Sequence, residues 1–252
     1  MNLDRVIAVR TQKTVYKDGD SCVKVFGADY SAADVLSEAL CLARAAEAGL
    51  RVPEVRETIT AGRKRVIVTE YIAGRPLAEE MKKNPQKERE YLALLARLQL
   101  EIHEKRGDGL PKLSEKIARG IIRAKEYGAN DAALFALLKS LPEKENFCHG
   151  DFNPSNVISA EDGEAALLDF SHAAAGDPLI DAAVTYLYFE IKNARGAAET
   201  YLEAYANKSG EESGEESVKA EILKRLPLAA ALLVARANEE ERVRLLPVVK
   251  NL

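Results

Sequence analysis

Two short segments hold residue types that can do chemistry. Cys148-His149-Gly150-Asp151-Phe152-Asn153-Pro154-Ser155-Asn156 carries a carboxylate and, five positions on, an amide; Leu167-Leu168-Asp169-Phe170 adds a second carboxylate. Between them, 156–159 and 165–170 are β-prone runs joined by Glu161-Asp162-Gly163-Glu164, a turn signal, and this pattern predicts a hairpin. In an antiparallel pair the start of one strand lies beside the end of the other. Asn156 and Asp169 then meet at the open end of the hairpin, with the loop that carries Asp151 adjacent in the chain. Two carboxylates and an amide oxygen make an oxygen-rich site suited to Mg²⁺, and without a cation their mutual repulsion is costly. A plainer reading is a turn, since Gly, Asn, Pro and Ser all favour turns and Asp169 can cap the next segment.

Two charges nearer the N-terminus weigh against the plainer reading. Lys24 stands in the middle of the apolar run Cys22-Val23-Lys24-Val25-Phe26 and, in an alternating strand, shares a face with Cys22 and Phe26. Glu38 flanks a predicted helix face made of Val35, Ala39, Leu42 and Ala46. A charge on an apolar face is expensive unless paired, and these two can satisfy each other. Singly, each reads as a surface or snorkelling charge. With Asp151, Asn156 and Asp169 they form a set of parts for phosphoryl transfer.

The elements that must position these residues change character along the chain. Val6–Arg10, Thr14–Lys17 and Ser21–Phe26 are short β-prone runs, and Lys17-Asp18-Gly19-Asp20 is a tight-turn signal between two of them. Ser31-Ala-Ala-Asp34 reads as a capping box opening a helix to Ala48, stopped by Gly49. A further strand is predicted over 65–71. After Ala73-Gly74-Arg75-Pro76 the pattern becomes helical: 88–105, 114–127 and 131–141 carry Leu or Ile at intervals of three and four. Helices return from Asp181 to the end, interrupted by the polar, acidic loop Ser209–Ser217. The expected architecture is α+β, with an antiparallel-sheet lobe at residues 1–72 and a mostly helical lobe at 73–252.

Composition narrows the function classes. The 252 residues are 47% hydrophobic and 30% charged, with 15 Gly and 9 Pro, an ordinary globular make-up. A net charge of −4, with no long basic cluster, argues against nucleic acid as a partner. Three cysteines without a CxxC spacing fit neither a disulfide framework nor a zinc site, which favours the reducing cytoplasm. Neither a signal-peptide core nor a membrane span is expected: the longest apolar stretch, 226–235, is about half a span and contains Pro227. The motifs GxxxxGK[ST], GxGxxG, GxSxG and HExxH are all missing.

With these residues in view, the sequence resembles a known family. The HGD-x4-N motif of 149–156, the downstream Leu168-Asp-Phe-Ser-His172 and Gly176-Asp-Pro-Leu-Ile-Asp181 look like the aminoglycoside phosphotransferase and choline kinase family. The whole chain follows that family's layout, closest to a bacterial subgroup of it. The resemblance implies a protein-kinase-like two-lobe fold and transfer of the γ-phosphoryl group of ATP, or GTP, with Mg²⁺, to a hydroxyl of a small molecule. Aminoglycoside, choline-like, sugar and amino-alcohol acceptors are all compatible. It implies that Lys24 holds the α and β phosphates, oriented by Glu38, and that backbone around Glu70 and Ile72 meets adenine. Asp151 would be the base facing the acceptor hydroxyl, Asn156 and Asp169 would ligate magnesium, and Asp181 would brace the loop, with His149 structural.

One segment departs from expectation: Arg10-Thr-Gln-Lys-Thr14, where the phosphates should be covered, contains no glycine. A catalytically silent nucleotide-binding protein on the same scaffold is the alternative function; it has no chemical need for all five site residues. A protein kinase is disfavoured because Asp181 follows Asp169 too closely for a peptide-binding segment. His103 reads as a plain helix histidine, although the resemblance suggests that it packs near the catalytic loop. Ser171 and His172 read as turn or acceptor-facing residues, and Glu239–Glu241 as a solvated helix face in preference to a surface for a polycationic substrate.

Overall fold

The computed structural model describes residues 5–10, 13–62, 64–209 and 214–251. Parts of two predicted features, the glycine-free turn (11–12) and the acidic loop (210–213), lie outside the described residues. In chain order the elements begin with β1 (Arg5–Arg10), β2 (Lys13–Asp18), β3 (Ser21–Phe26), α1 (Ala32–Glu47), β4 (Val55–Ala61), β5 (Lys64–Glu70), β6 (Gly74–Pro76) and α2 (Leu77–Lys83). Then come α3 (Glu88–His103), α4 (Leu113–Lys125), α5 (Asp131–Ser140), β7 (Asn146–Cys148), β8 (Val157–Ala160), β9 (Ala165–Leu167) and β10 (Ala174–Gly176). Among the described residues there follow α6 (Pro178–Ile191), α7 (Arg195–Ser209), α8 (Glu215–Lys224), α9 (Leu226–Val234) and α10 (Glu239–Lys250). Contacts group them into two compact units, Met1–Glu80 with Pro154–His172, and Met81–Asn153 with Ala173–Leu252.

The first unit is built on a five-stranded sheet in the order β1-β2-β3-β5-β4, every pair antiparallel. Alternation along β3 decides what each side chain meets. Val23 packs with Val66 and Val68, while Phe26 joins Ile67, Val35 and Ala39 of α1. Lys24 pairs with Ile67 in the ladder. Ser31 caps α1 by accepting the Ala33 amide, and its buried residues are Val35, Glu38, Ala39, Cys41 and Ala45. The buried face is rotated from the predicted one: Ala46 is exposed, and Glu38 sits inside the buried stripe instead of on its flank. The hairpin β8–β9 is present, and β6 adds to it as a third strand. β4 and the three-residue strands β6, β7 and β10 are not expected from the sequence. Three residues are too few to show a period.

In the second unit, α6 is buried over almost its whole length, from Ile180 to Leu187. It begins before Asp181 because Asp177 accepts the Leu179 amide as N-cap and Pro178 takes the first turn, where its missing N–H costs nothing. β7 pairs with β10, Cys148 opposite Ala174, so the strand leading into 149–153 is tied to the strand leading into α6. The expected α+β class is what is found, with sheet in one unit and helix dominating the other.

Candidate active site

In the first unit, Lys24 on β3 and Glu38 on α1 form an ion pair. Two more groups join it. Lys13 Nζ, on β2, lies 3.3 Å from Asp169 Oδ2 and 3.7 Å from Glu38 Oε2, and Lys24 Nζ is 3.9 Å from Asp169 Oδ1. Glu38 is only 4% exposed, and its Oε2 accepts no hydrogen bond. Burial pushes the Asp169 carboxyl up, but the lysines Lys24 and Lys13 outweigh it and hold the group well below the usual carboxylate range. Burial likewise pushes Lys24 down, and Asp169 and Glu38 outweigh it, so its ammonium is retained.

Asp169 itself has φ +59°, the left-handed region that non-glycine residues seldom adopt. Such conformations persist only where the surroundings impose them, and they cluster at functional sites. Val157 pairs with Leu167, and the Leu168 amide donates to the Asn156 carbonyl at 2.8 Å. That register puts Asn156 and Asp169 together at the open end. Ser171 donates its hydroxyl to Asp169 Oδ1 at 2.8 Å, so this serine supports the carboxylate. At the end of β5, the Glu70 amide donates to the Glu54 carbonyl (2.9 Å), and Ile72 packs against Ile158, Ala160 and Ala166.

In the second unit, Asp181 holds the loop that contains Asp151. Its carboxylate accepts the backbone amides of His149 (3.0 Å) and Gly150 (2.7 Å) and the side-chain amide of Gln99 (3.1 Å). His103 Nε2 lies 3.0 Å from the same carboxylate and Nδ1 lies 2.7 Å from the Tyr205 hydroxyl. Burial raises the Asp181 carboxyl, yet His103 and these donors bring it down to about 2. The expectation of a plain helix histidine at 103 is therefore corrected: it is 5% exposed and belongs to this polar network. Gly150 adopts φ +78°, which only glycine takes at little cost. Thr185 donates to the Phe152 carbonyl (2.9 Å), Asn153 to the Asp151 carbonyl (2.9 Å), and the Asp151 amide to His149 Nδ1 (3.3 Å). The Asp151 carboxylate meets Arg236, 3.2 Å away.

Sequence reasoning missed Lys13, Gln99, Tyr205 and Arg236. Lys13 opens β2 and falls in the sequence segment 10–14, where a missing glycine is itself a signal. Arg236, alone between Ala235 and Ala237, gives no local signal. Glu239 and Glu240 are exposed, and Glu241 forms a capping box with Asn238.

The fold has known counterparts. The family model described as "Phosphotransferase enzyme family" matches residues 5–219. A solved aminoglycoside-3'-phosphotransferase of type VIII is similar in fold, with a TM-score of 0.61 and 21% identity over 90% of this chain and 92% of that one. A choline/ethanolamine kinase family protein from Mesorhizobium loti gives a TM-score of 0.65 and 18% identity, covering 98% of this chain and 88% of that one. A thermostable mutant of aminoglycoside phosphotransferase APH(4)-Ia, in a ternary complex with ADP and hygromycin B, gives 0.68 and 15% identity over 97% and 90%. No curated protein sequence matches significantly. At these identities the solved structures establish a shared kinase-like fold. The family match runs from β1 into α8, and on it the chain belongs to the phosphotransferase enzyme family.

Proposed function

We propose that the chain transfers the γ-phosphoryl group of ATP to a hydroxyl of a small molecule, with Mg²⁺. The observation that carries this reading is the cluster of Lys13, Lys24, Glu38 and Asp169, two ammonium groups gathered around two carboxylates in one unit. Ion pairs of this kind set a lysine against the nucleotide phosphates and keep an aspartate ionised for metal. The side chains of Asn156 and Asp169 would hold the magnesium. Two hard oxygen donors suit a cation that keeps water and substrate phosphates as its remaining ligands. Among the described residues there is no cluster of three or more His, Cys, Asp or Glu that would make a closed protein cage. When bound, Mg²⁺ neutralises charge on the β and γ phosphates.

In the step itself the acceptor oxygen attacks the γ-phosphorus. The new P–O bond forms as the bond to the β,γ-bridging oxygen breaks, and that oxygen leaves with the electron pair on ADP. The acceptor proton passes to the Asp151 carboxylate and on to water. Backbone near Glu70 and Ile72 would receive the adenine. The unbridged Cys22, Cys41 and Cys148 suit a reducing cytoplasm. Among the described residues no helix is long and apolar enough to cross a membrane.

A coupled ADP-release assay over a panel of small alcohols, with and without Mg²⁺, tests this. Turnover is expected only with magnesium. Asp151→Asn should keep ATP affinity and lower turnover by roughly 10²-fold, the low end of general-base effects because loose phosphoryl-transfer transition states need little help from a base. ATP binding that gains nothing from Mg²⁺, or a variant as fast as the parent, would refute the assignment.

A further inference from the structure

The Asp151 carboxylate has a cationic neighbour that phosphoryl transfer alone does not call for. Arg236, on the short turn between α9 and α10, donates from Nη2 to the Gly150 carbonyl (2.7 Å) and to Asp151 Oδ1 (3.2 Å). Its Nε and Nη1 donate to no group among the described residues, and the side chain keeps 24% of its surface exposed. A second guanidinium adjoins the same turn. Arg242 donates to the carbonyl of Ala237, the residue after Arg236, at 2.7 Å, and stacks 4.7 Å over the Tyr127 ring. Its Nε is buried with no acceptor. Of the acidic residues that follow, Glu240 pairs with Arg244 (3.6 Å), Glu241 serves as a cap and pairs with Lys192 (3.9 Å), and Glu239 is exposed.

We propose that the acceptor alcohol carries an anionic oxygen group, carboxylate or phosphate, close to the hydroxyl that reacts, and that Arg236 binds it. The inference rests on the phosphotransferase reading above, with Asp151 as the proton acceptor. To pass its proton, the hydroxyl must come within about 2.6–3.2 Å of Asp151. Arg236 Nη2 is already 3.2 Å from that carboxylate, so a group on the next carbon of the acceptor falls within its reach. Nε and Nη1, which donate to no group among the described residues, lie on either side of the occupied Nη2, so each can give a single charge-assisted hydrogen bond to an anionic oxygen. An ammonium group in the same place meets like charge at close range. Arg236 thus selects against cationic acceptors as well as for anionic ones.

The test uses the intact chain with ATP and Mg²⁺ and four small acceptors that differ in charge, glycerate, glycerol 3-phosphate, glycerol and ethanolamine, each extended to a small panel of its charge class. One anionic class should exceed the neutral one in kcat/KM by about ten- to a hundredfold, the worth of one charge-assisted hydrogen bond. Whether the carboxylates or the phosphates lead identifies the anion. Arg236→Gln should raise KM for the anionic acceptor by a similar factor with a smaller change in kcat, and Arg236→Lys should recover part of the loss. Because the ranking of acceptors needs no variant, it stands even if Arg236→Gln fails to fold. A preference for neutral or cationic alcohols overturns the inference and leaves phosphotransfer intact. So does an Arg236→Gln variant whose kcat falls equally for every acceptor, the mark of an arginine that only orients Asp151. Absence of turnover with all classes overturns both readings.

Discussion

At the scale of single residues, the candidate site is a problem of charge placed where water is scarce. Glu38 is buried, and its partners are Lys24 and, at 3.7 Å, Lys13. Removing one member of a buried pair leaves an uncompensated charge, typically at about 3–5 kcal/mol. Lys24→Met should therefore lower stability by roughly 3 kcal/mol, with Lys13 softening the loss, and should also depress ATP turnover. The double variant Lys24→Met/Glu38→Gln separates the two effects: it should regain most of the melting temperature and none of the activity. Recovery of both would show that the pair serves the fold alone. Lys13 is only 3.3 Å from Asp169 and belongs to a stretch of sequence, 10–14, without glycine. On the proposed phosphotransferase reading, a lysine there would supply positive charge to the phosphates where a glycine loop would supply backbone N–H groups. Lys13→Met should raise the KM for ATP about tenfold or more, since hydrogen bonds to charged groups contribute roughly 1.5–3 kcal/mol. An unchanged KM would assign Lys13 to Asp169 alone.

At the scale of elements, the second unit depends on close helix approach. Gly120, buried on α4, faces α9 so closely that a Cβ would lie 2.6 Å from the Ala231 carbonyl oxygen. Backbone cannot yield as a flexible side chain can, so Gly120→Ala should destabilise by about 1–3 kcal/mol through overpacking. Gly196, exposed on α7 with nothing within 4 Å of its Cβ position, is the control. Gly196→Ala should be neutral or stabilising by up to ~0.5 kcal/mol, the ordinary helix preference for alanine. Denaturant midpoints for the two variants decide between packing and propensity. A Gly120→Ala midpoint equal to or above the parent's would mean that α4 and α9 adjust freely.

At the scale of the whole molecule, acid stability reports on the buried carboxylates. The Asp181 carboxyl is brought from 3.8 to about 2, with burial opposing and His103 and its other donors prevailing. Its contribution is fully present above about pH 4 and is lost as pH falls through about 2. A tenfold change in one group's proton affinity is worth about 1.4 kcal/mol, so on the order of 2 kcal/mol is lost across that window. Asp169 is lowered further and loses its contribution at still lower pH. Asp181→Asn should flatten the fall of unfolding free energy between pH 4 and 2, measured by denaturant titration at each pH. A slope identical to the parent's would mean that the network around His149 and Gly150 holds without the charge.

Local pattern alone determined much of this protein. The period of two in 22–26 put Lys24 on the face of Phe26, the intervals of three and four located α3, α4 and α5, and the turn 161–164 paired the strands that bring Asn156 to Asp169. These features follow from neighbours within a few residues, which is the range over which periodicity carries information. The HGD-x4-N motif is equally local. What the tertiary structure decided is which distant groups meet. It turned α1 so that Glu38 is buried between Lys24 and Lys13, drew His103, Gln99 and Tyr205 around Asp181, and set Arg236 against Asp151 across 85 positions of sequence. A lone charge in an apolar run shows that some partner is needed, because desolvation is costly. Which residue answers is settled only by the packing of helices and strands far apart in the chain.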